Sequence, residues 1–478
     1  MAKTKAIKRG EYMPHSVTKK TYEKIKKTVN SRFLFTLLRT ALPLILAAAA
    51  SYGIGLADSI MLRKEGDALV GAIYAGVQIQ TLLSIITVGF DGAILLISAQ
   101  HLGAEQHERA MSAGRIGLIS SLIFGTASAL LTFSMPKFFV SLMSSEKDVV
   151  TRGADYLRTV SLSFPFLSLS GALSAIHKSK KRTSPVFFSA LVTLSLKILL
   201  NSLLIPKRWL ALYEIGAAIS TVISRITEST ILAVALFISR ESRKRTEREP
   251  LTLRGESITE FFKYGTPVIL SQLVWAINTL YSTAIIGRYG NGLLAGLGIA
   301  NTLNSLSAII TSGLASSAAI LLGREIGSGN HKDIRRQVRT AELLFIMSGI
   351  AVGICILVFF RPFISLYSVS DSVKNTALGI CLFFSALAPL TAYQSGCMTG
   401  IIKSRGEVRF ILLAESVSVF LIIIPLSLLA ATHGATPLLL LSVLKSDSLF
   451  KCSLVFSKLR GTAGAIPIST VRQNQSLT

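Results

Sequence analysis

Residues 33–62 read FLFTLLRTALPLILAAAASYGIGLADSIML. Past Arg39 the stretch carries no charged side chain until Asp58. It is longer than the ~20 helical residues that cross a hydrocarbon layer of roughly 30 Å. Backbone N–H and C=O groups without partners are prohibitively costly in lipid, so a run of this kind reads as a membrane-spanning helix. What remains to be explained is the carboxylate at its far end.

The rest of the chain has the same character. Half of its 478 residues are hydrophobic, 16% are charged and the mean hydropathy is +0.57, outside the balance of a soluble domain. Twelve long apolar runs are predicted as spans, at 33–60, 69–98, 112–135, 154–177, 185–206, 212–239, 258–287, 292–322, 338–360, 375–402, 408–432 and 434–457. The last is interrupted by Lys445, Asp447 and Lys451.

A net charge of +25 would suggest nucleic acid in a soluble protein, but its distribution points elsewhere. Ten basic residues stand in 1–32, four in 178–182, seven in 240–263 and five in 324–339, whereas the alternate loops are poor in them. By the positive-inside rule both termini are expected in the cytoplasm, with the basic surplus touching anionic lipid and no nucleic acid as partner. No cleavable signal peptide is expected, because the stretch 1–32 lacks an apolar core. Cys355, Cys381, Cys397 and Cys452 fall inside predicted spans without metal-type spacing and read as packing residues.

Sliding the chain against itself until Pro43 falls on Pro267 also pairs Gly89 with Gly313, Gly103 with Gly327 and Pro165 with Pro389, all at one constant offset. The expected fold is therefore an all-α polytopic membrane protein, its twelve transmembrane helices forming two six-helix lobes related by pseudo-two-fold symmetry. The lobes occupy 33–239 and 258–457. A basic tail (1–32), a charged linker (240–257) and a C-terminal tail (458–478) are expected in the cytoplasm. Two such bundles enclose a cavity that rocking can expose to either side.

Pro43, LADSIML (56–62), DALVGAIYAGVQI (67–79), ITVGFDGAILLISAQHLGAEQ (86–106), Asn201, EIGAAISTVISR (214–225) and TPVILSQLVWAINTLYSTAIIGRYG (266–290) carry a further signal. Together, in that order and over about 33–457, they resemble the multidrug and toxic compound extrusion (MATE) transporters. The resemblance implies an antiporter in the plasma membrane, working as a monomer. It would export small amphipathic or cationic organic compounds against H⁺ or Na⁺, with no other cofactor. It also implies a cation site at Asp58, with Asn201 and a hydroxyl such as Thr221 beside it. Where some relatives place further acids this chain has Ile205, Gln272 and Tyr393-Gln394, which leaves a second-lobe sodium site without its acids.

A carboxylate in a membrane span is costly and, by default, functional; the alternative is a residue solvated at a helix end. Gln78, Gln272, Trp275, Asn278, Asn301, Asn304 and Tyr393 are candidate substrate contacts, since amides and aromatic rings suit flat organic cations. They serve equally well to join helices. Asp91 is expected to pair with a basic group or face the cytoplasmic vestibule. Arg225–Glu228 and Lys445–Asp447 are expected ion pairs. Glu415 has no basic neighbour in sequence, and a substrate contact is one reading of it.

No GK[ST] phosphate loop, metal spacing or nucleophile arrangement is present in the sequence, so transport rather than catalysis is expected. The rival readings are a flippase of the same superfamily moving a lipid-linked precursor, and a membrane-embedded transferase.

Overall fold

A computed structural model describes residues 30–62, 67–142, 147–205, 212–238, 255–287, 291–329, 333–364 and 371–461. Within the helices, the side chains of 55–75 and 287–295 lie outside the described set. The basic tail before residue 30 and most of the charged linker are also outside it.

The N-terminal lobe comprises α1 (Ser31–Leu62), α2 (Asp67–Gly103), α3 (His107–Ser134), the short α4 (Pro136–Ser141), α5 (Lys147–Ser161), α6 (Phe164–Ser179), α7 (Ser184–Leu204) and α8 (Tyr213–Phe237). The C-terminal lobe comprises α9 (Gly255–Gly287), α10 (Asn291–Gly327), α11 (Ile334–Ile364), α12 (Asp371–Gly396), α13 (Val408–Ser416), α14 (Ile424–Thr432), α15 (Pro437–Leu444) and α16 (Asp447–Gly461).

Among the described residues ten helical segments are long and apolar enough to cross a membrane by themselves. An eleventh span is the α5–α6 pair, bent by 47° at Leu162–Ser163. The twelfth is α15 with α16, broken at Lys445–Ser446. Of the polar residues noted in its sequence, Lys445 stands at the break, Asp447 opens α16 and Lys451 lies within it. Large apolar side chains such as Phe35, Leu131, Met347 and Leu421 stand exposed on the outside, as helices bathed in lipid require.

Two spans run through π-helical turns, Cys397–Ile402 after α12 and Val417–Ile423 between α13 and α14. A π turn accommodates an extra residue. The first of them explains why Lys403-Ser404 stands one position beyond the place where the repeat offset would put the counterpart of Lys178-Ser179.

The pseudo-two-fold axis is visible in the closest backbone approaches, where glycine is required because a Cβ would collide. A Cβ on Gly103 would lie 2.0 Å from the carbonyl oxygen of Arg324, and one on Gly327 would lie 2.0 Å from that of Gln100. Likewise Gly89 abuts the Ile269 backbone at 2.8 Å and Gly313 that of Ile45 at 2.9 Å. Each member of these pairs is its counterpart carried through the repeat offset, so the register found in sequence is also a register in space.

All these contacts join the lobes at one end, the end carrying the basic loops 180–182 and 333–339. The inter-lobe hydrogen bonds described lie there too: Gln100 Nε2 to the Ser404 carbonyl (2.6 Å), Ser317 Oγ to the Leu37 carbonyl (2.8 Å) and His101 Nε2 with Glu260 Oε1 (3.0 Å). Core clusters at this end straddle the lobes: Phe33, Leu37 and Ala41 pack into the C-terminal lobe, and Phe261 and Val268 into the N-terminal one. Towards the opposite end each lobe packs on itself. Gly76 meets Tyr156 and Gly53 meets Leu194 within one lobe, Gly296 meets Thr376 within the other, and nothing lies within 4 Å of a Cβ built on Gly298. The molecule is a V, closed at the basic end.

Candidate functional site

The polar centre of the N-terminal lobe is built by α7 and α8. α7 is apolar, but Lys197 and Asn201, one turn apart, point into the lobe and are fully buried. α8 meets them with small residues: Ala217 and Ser220 are inaccessible and Thr221 is 3% exposed. The Lys197 ammonium donates to the Ala217 carbonyl (3.0 Å), Ser220 Oγ (2.9 Å) and Thr221 Oγ1 (2.6 Å). Ser220 Oγ donates in turn to Asn201 Oδ1, and Thr221 Oγ1 to the Ala217 carbonyl (2.8 Å). A buried ammonium is tolerated because each of its three donors finds an oxygen.

Asn201 and Thr221 are therefore brought together, and the residue that joins them, Lys197, was missed by the sequence reading. The signal was available: a lysine inside LVTLSLKILLNSLL (191–204), four residues before the asparagine. Asp58 lies on α1, but its side chain is outside the described residues. The backbone gives its level: α1 and α7 both run away from the basic end and Gly53 packs on Leu194. With a helical rise of roughly 1.5 Å per residue, position 58 stands at the height of Lys197 and Asn201.

Between the lobes, the stripe of α9 that faces α2 runs through Phe261, Gly265, Val268 and Gln272. Gln272 lies against Gly89, and Trp275, 44% exposed, is one turn further from the closed end. Gln78 is three turns beyond Gly89 on the same face of α2. These three share the inter-lobe surface. Asn278 turns towards its own helix and accepts from Ser282 Oγ at 3.4 Å. Asn301 is exposed on α10, a third of a turn away from the stripe through Gly313 that meets the other lobe, and Asn304 is on the opposite side of that helix.

Tyr393 is elsewhere. Its hydroxyl donates to Glu342 Oε1 (3.0 Å) in a cavity of about 980 Å³ at the basic end of the C-terminal lobe, where Arg335, Arg339, Arg405 and Arg460 also gather. The set grouped as substrate contacts thus divides between two places.

At the base of the V lies Asp91. Its carboxylate abuts Gly171 of α6, and the charges acting on it are Lys178, Lys403 and Glu228. Lys403 comes from the other lobe, its Nζ 3.2 Å from where a Gly92 Cβ would be. Asp91 Oδ1 is buried with no hydrogen-bond partner. Of the two readings for Asp91 neither is observed: no ion pair within 4 Å is described for it, and the carboxylate lies in the field of two lysines, one from each lobe.

The Arg225–Glu228 pair forms at 2.7 Å. Two other expectations are corrected. Asp447 pairs with Lys451, not Lys445, at 3.0 Å, because residues 445 and 446 break the helix and only i,i+4 inside α16 aligns the two charges. Lys445 instead lies over the Phe384 ring at 5.6 Å. Glu415 does have a basic partner, the same Lys451 at 2.7 Å, brought 36 residues along the chain by packing of α16 on α13. Cys381 and Cys397 are buried in the cores, as packing residues should be, Cys452 is half-buried, and Cys355 is exposed and does not pack there. Among the described residues no group of His, Cys, Asp and Glu could hold a metal ion.

The profile of the MatE family matches residues 43–203 and 267–429, two segments whose starts differ by the repeat offset. The chain is 23% identical over 367 residues to the "Probable multidrug resistance protein NorM" of Neisseria meningitidis serogroup B, covering 75% of this chain and 78% of that protein. Its fold is similar to the crystal structure of the eukaryotic MATE transporter AtDTX14, with a TM-score of 0.83, 18% identity, and 93% and 99% of the two chains covered. It is also similar to the Vibrio cholerae MATE transporter VcmN in the bent form, with a TM-score of 0.76, 18% identity, and 90% and 98% covered. With both halves matched by the family profile, over 43–203 and 267–429, the chain is a multi-pass membrane protein and belongs to the MatE family.

Proposed function

We propose that this chain is a secondary antiporter that exports small amphipathic or cationic organic compounds across the plasma membrane in exchange for a cation, a proton before sodium. The basic end and both termini face the cytoplasm, so the V is the outward-open state. The observation that carries the reading is the pseudo-symmetric seam: among the described residues, the two lobes of a MATE chain touch through paired glycines towards the basic end. Such a hinge lets the same bundles exchange one closed end for the other.

On this reading Asp58, at the level of Asn201 and Thr221, takes the coupling cation in the N-terminal lobe. Gln78, Gln272 and Trp275 offer the drug an amide and aromatic surface between the lobes. Cation and drug compete because each favours a different lobe arrangement, and coupling can be no larger than that difference in affinity. The curated relative, a probable multidrug resistance protein, supports the choice of cargo.

The test is efflux of a fluorescent organic cation from proteoliposomes, with a pH gradient or a sodium gradient imposed separately. Export driven by at least one gradient is expected. Export indifferent to both, or translocation of lipid-linked cargo instead, overturns the proposal.

A further inference from the structure

We infer that Lys197 is the resident cation of the N-terminal lobe: its ammonium fills the oxygen cage of Ala217, Ser220 and Thr221 that a sodium ion would take, and so excludes alkali cations from it. This deepens the antiport reading, on which it rests, by removing sodium from this cage.

The cage has the chemistry of a hard-cation site. Its three oxygens are a backbone carbonyl and two hydroxyls, converging at 2.6–3.0 Å on one point. Hard monocations are bound through oxygens of this kind. The hydroxyls are oriented for a positive charge, because each donates its own proton to another acceptor, Ser220 to Asn201 Oδ1 and Thr221 to the Ala217 carbonyl, which leaves lone pairs for the ammonium. All four side chains are buried, from 0% for Lys197, Asn201 and Ser220 to 3% for Thr221. One cage cannot hold two monocations, and the one present is tethered to α7. A lysine in this position cannot leave by diffusion as sodium does.

The experiment compares purified wild type with Lys197→Ala, in sodium and in choline chloride at equal ionic strength, by melting temperature and by ²²Na⁺ binding. Wild type is expected to show no sodium-specific shift and no bound sodium. Lys197→Ala, which empties the cage, is expected to gain both, and adding Thr221→Val is expected to abolish the gain. A Lys197→Ala protein that folds and acquires no sodium response overturns the inference. Should that variant fail to fold, wild type beside Thr221→Val still decides it: sodium binding in wild type that Thr221→Val removes overturns the inference, and its absence in wild type upholds it. The readout is binding, so it is independent of transport. If neither gradient drives export, the antiporter reading falls while the sodium result stands.

Discussion

The two lobes share a frame but hold their buried lysines differently. In the C-terminal lobe, Lys451 is gripped by two carboxylates, Glu415 at 2.7 Å and Asp447 at 3.0 Å, each less than a fifth exposed. In the N-terminal lobe the acceptors described around Lys197 are a carbonyl and two hydroxyls. An ammonium between two carboxylates is fixed, because moving it leaves uncompensated charge in low dielectric. The oxygens described around Lys197 are neutral, so its hydrogen bonds there solvate the ammonium, whereas those of Lys451 also bring it opposite charge. The sequence differs here as well: across Leu421, Ile422 and Ile423, the stretch that the repeat offset and the inserted π-turn residues bring opposite Lys197, there is no lysine. The two halves share a scaffold, and one carries a lysine between two carboxylates where the other carries a lysine on a carbonyl and two hydroxyls.

The comparison breaks first on transport. Asp58→Asn is expected to fold and insert normally yet lose gradient-driven export altogether, while Glu415→Gln keeps most of it. Equal losses in proteoliposome efflux would show that the lobes do not divide the labour.

Next in size is the ion triad. Lys451→Met strands Glu415 and Asp447 and should cost about 3–5 kcal/mol, the range for breaking a buried pair. A large fall in melting temperature and loss of the monodisperse species are the expected signs. An unchanged melting temperature would mean that the triad is not a brace.

The seam tests symmetry directly. Gly103→Leu and Gly327→Leu each drive a side chain into the partner helix's backbone, costing about 1–3 kcal/mol as overpacking does and prising the basic end apart. Their effects should match, with spin-label distances across that end lengthening alike. A one-sided effect would dismiss the pseudo-two-fold seam as the hinge. Asp91, whose repeat equivalent is Ala315, is the asymmetric element in it. Asp91→Asn withdraws the carboxylate facing Lys178 and Lys403 and should weaken closure by roughly 1–2 kcal/mol, since a buried charge then loses its compensation. Spin-label distances across the same end should shift towards the open form.

Smallest is the Arg225–Glu228 pair on α8, 15% and 13% exposed. Replacing both partners by Gln should cost no more than about 0.5–1 kcal/mol, because a pair formed within one helix is modest. A larger drop in melting temperature would place the pair among the braces of the N-terminal lobe.

Much of the architecture was legible because lipid simplifies the code. A segment such as 33–62 has no stable alternative to a helix, and a repeat at constant offset carries its register into space, as Gly103 and Gly327 do. The breaks were partly legible: Lys445 and Asp447 marked the interruption in the last span. The partnerships were not. Glu415 looked solitary because its lysine lies 36 residues away, and Tyr393 was grouped with Gln272 and Trp275 because its helix, not its face, was known.

By itself, then, the sequence determined that the chain crosses the membrane twelve times in two like halves, since hydropathy and periodicity are local properties that hydrocarbon enforces on each segment separately. Only the tertiary structure decided which polar groups meet: Lys197 with Thr221, Lys451 with Glu415, Asp91 with lysines of both lobes. Those choices depend on helix rotation and on packing between segments distant in the chain, where a single turn moves a side chain from lipid to core.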